Sequence, residues 1–221
     1  MKRKKPRENN ELVKMENFLA TNDELDLHSK AFEKVMFIYS VGIKELKTKL
    51  EIMQDEYKLF HDYDLIDHIN TRIKTPESIY KKMQKRNLSM DYKTMIENIN
   101  DIAGVRVICP LKKDIYNIRE FLENIPGVNV IKEKDYITAP KKSGYSSYHM
   151  ILEVPVTLSQ KFMYVKVEVQ IRTLAMDFWA SLEHKIKYKS KKEVSKSVSK
   201  ELVACAKTVQ KLDHKMMLLN R

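Results

Sequence analysis

The chain has 221 residues, 43% of them hydrophobic, and a formal net charge of +11 at pH 7. This length and composition predict one domain with helical extensions, and only four glycines and six prolines argue against a loop-rich all-β protein. No apolar stretch approaches the ~20 residues that cross a bilayer, so we expect a cytoplasmic protein without a membrane anchor. The charge indicates a polyanionic partner: nucleic acid, a membrane surface or several phosphates in one pocket.

The N-terminal part predicts a tail and then a helix. Residues 1–25 are expected to form a flexible basic tail. Apolar residues then recur every three or four positions from about Asp26 to Tyr57, which predicts a long amphipathic helix. The two cysteines, Cys109 and Cys205, stand far apart in apolar surroundings, so neither a disulfide framework nor a zinc site is predicted.

A strand followed at once by a helix is predicted between residues 65 and 85. Side chains alternate from Leu65 to Lys74, and the far end of this strand carries Arg72 and Lys74. Thr75 is a suitable N-cap, and Ser78 and Lys82 share one face of the helix that it begins. Free amide groups at a helix start favour a phosphate, although a solvated basic helix face fits the same pattern.

A second helix is predicted from Ser89, as its N-cap, to about Asn100. The next segment, from Asp101 to Cys109, is apolar on both faces and predicts a central strand. Arg106 interrupts it, and a guanidinium in a central strand needs an anion or a flat partner. Gly104 leaves room for another group to come close.

The middle of the chain predicts a helix, two strands and a basic loop. The helix covers Ile115 to Ile125, and the first strand, Val128 to Ile137, has Lys132 and Lys134 on one face. The loop at 140–149 contains Lys141, Tyr145 and His149, and the second strand covers Tyr148 to Val154. Tyr145 could stack on a base or pack in a turn, and a lone histidine is more often structural than catalytic.

The strand at 163–172 shows the clearest alternation in the chain. Its apolar residues predict one buried face, and the other face carries Lys166, Glu168, Gln170 and Arg172. With about 7 Å between same-face neighbours, this row is about as long as a triphosphate, but a solvated sheet face fits it too.

Two helices are predicted at the C-terminal end. Thr173 is expected to cap a helix that carries Asp177. The last helix has a heptad seam suited to a partner helix, either in another subunit or in the long N-terminal helix of the same chain. The seam consists of Val198, Leu202, Cys205, Val209, Leu212, Met216 and Leu219.

The predicted strands bring many cations and two carboxylates into one region. Asp101 and Glu168 are the carboxylates that stand out on core strands. Because Mg²⁺ prefers one or two carboxylates and completes its shell with water and phosphates, this set favours a metal–nucleotide site. The residues themselves therefore indicate phosphoryl or pyrophosphoryl transfer.

Four motifs in order resemble the synthetase domain of RelA/SpoT homologues. They are Arg72-Ile-Lys-Thr-Pro-Glu-Ser-Ile-Tyr-Lys-Lys82, Asp101-Ile-Ala-Gly-Val-Arg106, Lys141-Lys-Ser-Gly-Tyr145 with His149, and Glu168-Val-Gln-Ile-Arg172. The similarity spans about residues 30–190, and the short chain is similar to the single-domain small alarmone synthetases of the RelP and RelQ types.

The resemblance implies an α/β (α+β) fold, with a mixed five-stranded sheet of nucleotidyltransferase type flanked by helices and long helices at both ends. The synthetase domain would cover 26–190, and 191–221 would form a C-terminal oligomerisation helix. The implied reaction transfers pyrophosphate from ATP to the ribose 3′-hydroxyl of GDP or GTP and gives AMP and the alarmone (p)ppGpp. A homo-oligomer, in particular a tetramer, is also implied.

The resemblance also implies roles for individual residues. Asp101 and Glu168 would bind Mg²⁺, and Glu168 would activate the attacking hydroxyl. The ATP site would consist of Arg72, Lys74, Ser78, Lys82 and Arg106. The GDP or GTP site would consist of Lys141, Tyr145, His149, Gln170, Arg172 and Asp177.

Two positions depart from the family pattern. Ser146 stands where many relatives have arginine, and Asp177 where some have asparagine. The rival hypothesis is a basic RNA-binding domain without catalysis. Aromatic residues interleaved with basic ones on a sheet would support it, and only Tyr148 and Tyr164 meet that description.

Overall fold

The computed structural model describes residues 24–159, 161–189 and 195–220. The basic tail predicted for residues 1–25 therefore lies almost wholly outside the described residues, as does the predicted boundary at 190/191. Six helices and five strands occupy the described part of the chain. In chain order they are α1 (Lys30–His61), β1 (His68–Ile73), α2 (Pro76–Lys85), α3 (Tyr92–Asn98), β2 (Ala103–Cys109), α4 (Lys112–Asn124), β3 (Asn129–Asp135), β4 (Tyr148–Thr157), β5 (Phe162–Thr173), α5 (Leu174–Lys189) and α6 (Lys196–Leu219).

The five strands form one mixed sheet in the order β1-β2-β5-β4-β3. Strands β2 and β5 are parallel, and the other neighbouring pairs are antiparallel. The predicted fold class is thus confirmed. Because β2 and β5 lie side by side in the centre, Asp101 before β2 and Glu168 on β5 come within one region of the sheet.

One face of β5 is apolar and buried, as its alternation predicts. Met163, Val165, Val167, Val169 and Ile171 are at most 2% exposed, and each such burial contributes about 1.5–3 kcal/mol. Helix α1 packs across β1, β2, β4 and β5, and α4 packs on β2 and β5. These contacts cover the apolar side of the sheet, which leaves the polar side of β5 for other contacts.

The long N-terminal helix is confirmed with shifted ends. It begins after Ser29, whose hydroxyl accepts from the amide of Phe32, and it continues to His61. The periodic residues Val35, Ile38, Leu46, Leu50 and Met53 are all buried. None of the helices in the described ranges combines the length and apolar character that a bilayer-spanning helix needs.

The helix cap predicted at Ser89 is wrong. Asp91 caps α3, since its carboxylate accepts from the backbone amide of Thr94 at 2.7 Å and from the Thr94 hydroxyl at 2.8 Å. The carboxylate accepts one bond on each of its two oxygens, which fixes Asp91 as the N-cap. The other two predicted caps are confirmed: Thr75 accepts from the amide of Ser78, and Thr173 accepts from the amide of Met176.

Strands β2 and β3 are slightly shorter than predicted, at Ala103–Cys109 and Asn129–Asp135, and two other strand boundaries differ more. Strand β1 begins at His68, which pairs with Ile108 of β2, and not at Leu65. Leu65 and Ile66 are both buried and do not alternate. Strand β4 runs on to Thr157 through Pro155. Since β3 begins opposite Glu153, the part of β4 beyond Glu153 has a neighbour on one side only, where a proline is tolerated.

Helix α6 packs against α5 and α4 through a stripe that only partly coincides with the predicted heptad seam. Its buried residues are Leu202, Ala206 and Asp213. The seam residues Leu212 and Met216 are 54% and 51% exposed, and Leu219 is 79% exposed. Within the described residues, the N-terminal helix α1 therefore does not pack over the seam of α6, as one of the two alternatives required.

Candidate active site

Asp101 lies at the start of β2 between two lysines. Lys74 Nζ donates to Oδ2 at 3.0 Å, and Lys82 Nζ lies 2.7 Å from Oδ1. Burial opposes the charge of Asp101, but hydrogen bonds and charge from Lys82 and Lys74 outweigh it and lower its pKa. The carboxylate is therefore ionised at neutral pH and bound to two residues of the predicted ATP site.

Glu168 is the second carboxylate of this region. Oε1 lies 3.5 Å from Nδ1 of His149, and Oε2 accepts from Nε2 of Gln170 at 3.1 Å. Burial raises the pKa of Glu168, but the hydrogen bond and charge of His149 have the larger, opposite effect. The net shift of the pKa is therefore downward. Glu168 is also ionised at neutral pH.

Both carboxylates line one cavity of about 280 Å³. Five basic side chains line the same cavity, together with His149, Tyr136 and Glu133. These cations are Lys82, Arg86, Lys132, Lys134 and Lys141. The expectation that Asp101 and Glu168 face the same space is confirmed, and that space attracts anions. Glu133 does little to offset the cations because Arg119 binds both of its oxygens, at 3.0 and 3.1 Å.

Arg72 and Arg106 lie side by side on β1 and β2. Arg72 pairs with Gly104, and a Cβ at Gly104 would lie 3.3 Å from Arg72 Cγ, so this glycine lets the Arg72 side chain cross the strand. Both arginines line a cavity of about 170 Å³ and another of about 370 Å³. Flat guanidinium groups around such cavities suit a stacked base.

Arg106 has the anionic partner that its place in a central strand demanded. Its NH1 lies 3.4 Å from Oδ1 of Asp177. Burial and the charges of Arg172 and Arg72 lower the pKa of Arg106, and Asp177 opposes them. Its buried Nε has no hydrogen-bond partner among the described residues. Asp177, one of the two departures from the family pattern, thus neutralises part of an arginine cluster.

Arg172 is buried, and each of its nitrogens is bonded to protein. Nε donates to Ser147, NH1 donates to Asp177 at 2.9 Å, and NH2 donates to the hydroxyl of Tyr145 at 2.7 Å and to Gln170 at 2.9 Å. The guanidinium therefore organises its neighbours.

The row of polar residues on β5 is divided by this arrangement. At one end, Lys166 Nζ donates to the carbonyls of Ile96 and Glu97 at the C-terminal end of α3, where a cation is favoured. At the other end, Arg172 is buried. Glu168 and Gln170 line the cavity of about 170 Å³, and Arg172 lines the one of about 370 Å³. Because Lys166 is bound to α3 and Arg172 to its protein neighbours, the row does not bind a triphosphate along its whole length.

The basic loop places three predicted residues around a tyrosine that the sequence reasoning missed. Lys141 Nζ lies 4.6 and 4.7 Å from the ring centroids of Tyr136 and Tyr145, and Tyr136 is edge-on to His149 at 5.3 Å. The alternation Lys132, Lys134, Tyr136 is the signal that could have found it, because Tyr136 directly follows β3 and continues the spacing of its two lysines.

Two remaining positions are less central. Ser78 is exposed in the first turn of α2, one helical turn before Lys82, and its Oγ accepts from the hydroxyl of Thr75. Ser146 is buried at 6% exposure, so the second departure from the expected pattern is a short, enclosed side chain. Tyr148, which the RNA-binding hypothesis needed as an open platform, is also buried.

The region that carries the site is also the region that matches a known protein family. Residues 71–193 match the family described as a region found in RelA / SpoT proteins, a range that includes every predicted site residue. GTP pyrophosphokinase YwaC of Bacillus subtilis is 43% identical over 195 residues, which cover 88% of this chain and 93% of that protein. GTP pyrophosphokinase YjbM of the same organism is 33% identical, over 86% of this chain and 89% of that protein.

Solved structures agree. Small alarmone synthetase 2 from Bacillus subtilis is 40% identical with a TM-score of 0.79, and the match covers 86% of this chain and 98% of that one. Small alarmone synthetase 1 from Bacillus subtilis, bound to its product pppGpp, is 32% identical with a TM-score of 0.79. That match covers 87% of this chain and 97% of the other.

Proposed function

This chain belongs to the RelA/SpoT family, and we propose that it is a (p)ppGpp synthetase, a GTP pyrophosphokinase. It transfers the pyrophosphate of ATP to the 3′-hydroxyl of GDP or GTP, and AMP leaves. The observation that carries this function is the shared cavity, in which Asp101 and Glu168 are surrounded by cations. Two polyphosphates and two carboxylates can approach one another only where such cations offset their charge.

The donor side binds ATP at Arg72, Arg106 and the start of α2. The two arginines hold adenine between their guanidinium planes, an arrangement supported by the cavities that both side chains line. Lys74, Ser78 and Lys82 hold the phosphates. Because Lys74 and Lys82 already bind Asp101, the phosphates and the carboxylate share the same two cations.

The acceptor side binds GDP or GTP around the basic loop. Tyr145 stacks on guanine, and Lys141 and His149 bind the 5′-phosphates. This side is completed by Gln170, Arg172 and Asp177, which hold Tyr145 and Glu168 in place. Arg172 donates to Asp177, to the Tyr145 hydroxyl and to Gln170, and Gln170 in turn donates to Glu168.

Asp101 and Glu168 fit a Mg²⁺ site. Both are ionised at neutral pH and line one cavity, and Mg²⁺ needs only one or two carboxylates when phosphates and water complete its shell. The described residues contain no cluster of three or more acids, histidines or cysteines that could hold a metal, so these two carboxylates are the ligands proposed from the protein. When bound, Mg²⁺ neutralises phosphate charge and orients the transferring group.

Glu168 accepts the proton of the acceptor hydroxyl. The 3′-oxygen forms a bond to the β-phosphorus of ATP, the bond from that phosphorus to the α–β bridging oxygen breaks, and AMP leaves with that oxygen. The proton passes from the hydroxyl to Glu168, whose Oε1 and Oε2 are oriented by His149 and Gln170.

We further propose a cytoplasmic homo-oligomer, in which a tetramer is the expected state. The exposed apolar residues Leu212, Met216 and Leu219 on α6 support association. Contact with RNA through the basic surface stays a prediction.

The reaction is tested by incubating the purified protein with ATP, Mg²⁺ and either GDP or GTP. We expect AMP and a guanosine nucleotide carrying a 3′-pyrophosphate in equal amounts, separated by anion-exchange chromatography. Glu168→Gln should lower kcat by about a hundredfold or more, since it removes the base. Absence of product from the wild-type protein, or full activity of the variant, would contradict the proposal.

A further inference from the structure

Helix α6 contacts the loop that carries the acceptor residues. The small cluster between α5 and α6 contains Trp179 and Ala180 from α5 and Leu202 and Ala206 from α6, and Tyr145 of the loop packs against it. The indole of Trp179 donates to the carbonyl of Leu202 at 3.0 Å, which joins the two helices at this point. A helix expected to serve association therefore also forms a wall behind Tyr145.

The closest approach is at Gly144. Its φ is +89°, and a Cβ there would lie 2.4 Å from Cβ of Ala206 and 3.6 Å from Cζ2 of Trp179. Only glycine fits this backbone conformation and this space. The loop backbone thus rests directly on the Ala206 methyl group.

Gly144 is part of a closed turn that includes both acceptor residues. The amide of Gly144 donates to the carbonyl of Lys141 at 2.8 Å, and the amide of Lys141 donates to the carbonyl of Tyr145 at 3.0 Å. These two bonds make Lys141 to Tyr145 one unit. A displacement of Gly144 consequently moves the lysine and the aromatic ring together.

Helix α6 is itself held at both sides of this contact. Further along the helix, buried Asp213 accepts from the hydroxyl of Thr173 at 3.0 Å, and Thr173 directly follows Arg172. This hydrogen bond fixes the helix to the end of β5, where Arg172 donates to Tyr145. The loop, the end of β5 and α6 form one connected arrangement.

We infer that Ala206 is a positioning residue for the acceptor site. Its small side chain sets the distance between α6 and the Lys141–Tyr145 turn, and so places the tyrosine ring and the lysine for GDP or GTP. This inference rests on the proposed function, because it takes Tyr145 and Lys141 as acceptor residues. A purely structural role would instead affect both substrates equally.

The matched variants are Ala206→Leu and Ala204→Leu. Ala206 is buried against the loop, whereas Ala204 lies two residues earlier and is exposed, so the same enlargement is made with and without the contact. We expect Ala206→Leu to raise KM for GDP and GTP about tenfold and KM for ATP less than about twofold. Ala204→Leu should leave both unchanged. Proportional increases in both KM values, or none in Ala206→Leu, overturn the inference.

A second readout avoids turnover. Trp179 is the only tryptophan of the chain and lies at the contact, so a GDP titration followed by its emission measures acceptor affinity directly. We expect the same weakening, about tenfold, in Ala206→Leu. Unchanged affinity overturns the inference.

If Ala206→Leu does not fold, Ala206→Gly tests the inference instead, because it leaves a gap beside Gly144 and creates no steric clash. A rise of about two- to fivefold in the acceptor KM alone is expected, and an unchanged acceptor KM overturns the inference. The proposed function fails separately, when wild-type protein makes no product with either acceptor. The inference fails when wild type and Ala204→Leu are active and Ala206→Leu or Ala206→Gly matches them.

Discussion

Arg172 is linked to both carboxylate oxygens of Glu168 without binding either. Its NH2 donates to Gln170, and Gln170 donates to Oε2 of Glu168. The same nitrogen donates to the Tyr145 hydroxyl, which lies 2.8 Å from Nε2 of His149, and Nδ1 of that ring faces Oε1 of Glu168.

The direction of these hydrogen bonds follows from their donors. Arginine can only donate, so the Tyr145 hydroxyl is free to give its own proton to Nε2 of His149. When Nε2 of His149 accepts this proton, the ring carries a proton on Nδ1, towards Glu168. Both chains thus end in donors to the proposed base, and both begin at one buried guanidinium.

Tyr145→Phe separates the ring of this tyrosine from its hydroxyl. We expect KM for GDP to change little, because the ring still stacks, and kcat to fall about ten- to a hundredfold, since a hydrogen bond with a charged partner is worth about 1.5–3 kcal/mol. Tyr145→Ala should raise KM as well. Steady-state kinetics check this, with Tyr116→Phe as a control whose hydroxyl binds Asp135 on the outer strand. Wild-type kcat in Tyr145→Phe would show that the hydroxyl has no part in the reaction.

Asp101→Asn tests the metal proposal. The variant keeps the shape of the side chain but loses the charge that would bind Mg²⁺, so we expect half-maximal activity to require about tenfold more Mg²⁺. Mg²⁺ titrations of product formation measure this. Asp55→Asn, an exposed position on α1, serves as the control and should behave as wild type. An identical Mg²⁺ requirement in Asp101→Asn contradicts a role of this carboxylate in metal binding.

Asp213 predicts a pH-dependent stability. Burial raises its pKa, with the Thr173 hydrogen bond and Lys112 opposing, so the folded state holds the proton to higher pH than the unfolded state does. Stability from this group is therefore present below its unfolded pKa and is lost as pH rises through its folded pKa.

Asp213→Asn removes this ionisation while its amide oxygen can still accept from Thr173. At pH 7.5 we expect the variant to melt a few degrees above wild type, the response to about 1 kcal/mol in a chain of this size. The difference should shrink as the pH approaches 4. Thermal melts across this range decide, and a variant less stable at pH 7.5 would contradict the prediction.

The exposed seam of α6 is tested by Leu212→Asp. If Leu212 packs on a second copy, the buried charge should lower the molar mass measured by light scattering. His214→Asp places the same charge two residues on, on the opposite side of the helix, and should leave the mass unchanged. Equal mass in wild type and Leu212→Asp would mean that the seam has another role.

Several features of the fold and site could be predicted because their signals are local. Alternation along β5, the period of α1 and the caps at Thr75 and Thr173 depend on neighbours a few residues away. The choice of Asp91 over Ser89 could not be made in this way, because both residues are acceptable caps and the backbone geometry selects one.

The sequence by itself determined the order of elements, the buried face of β5 and the chemical types brought to the site. Only the tertiary structure decided which of them meet: Asp177 with Arg106, Tyr136 with Lys141, and Gly144 with Ala206. The physical reason is that the first and last of these contacts join residues about 60 to 70 positions apart, and that all three are set by sheet register, loop geometry and helix packing. No local period in the chain encodes those distances.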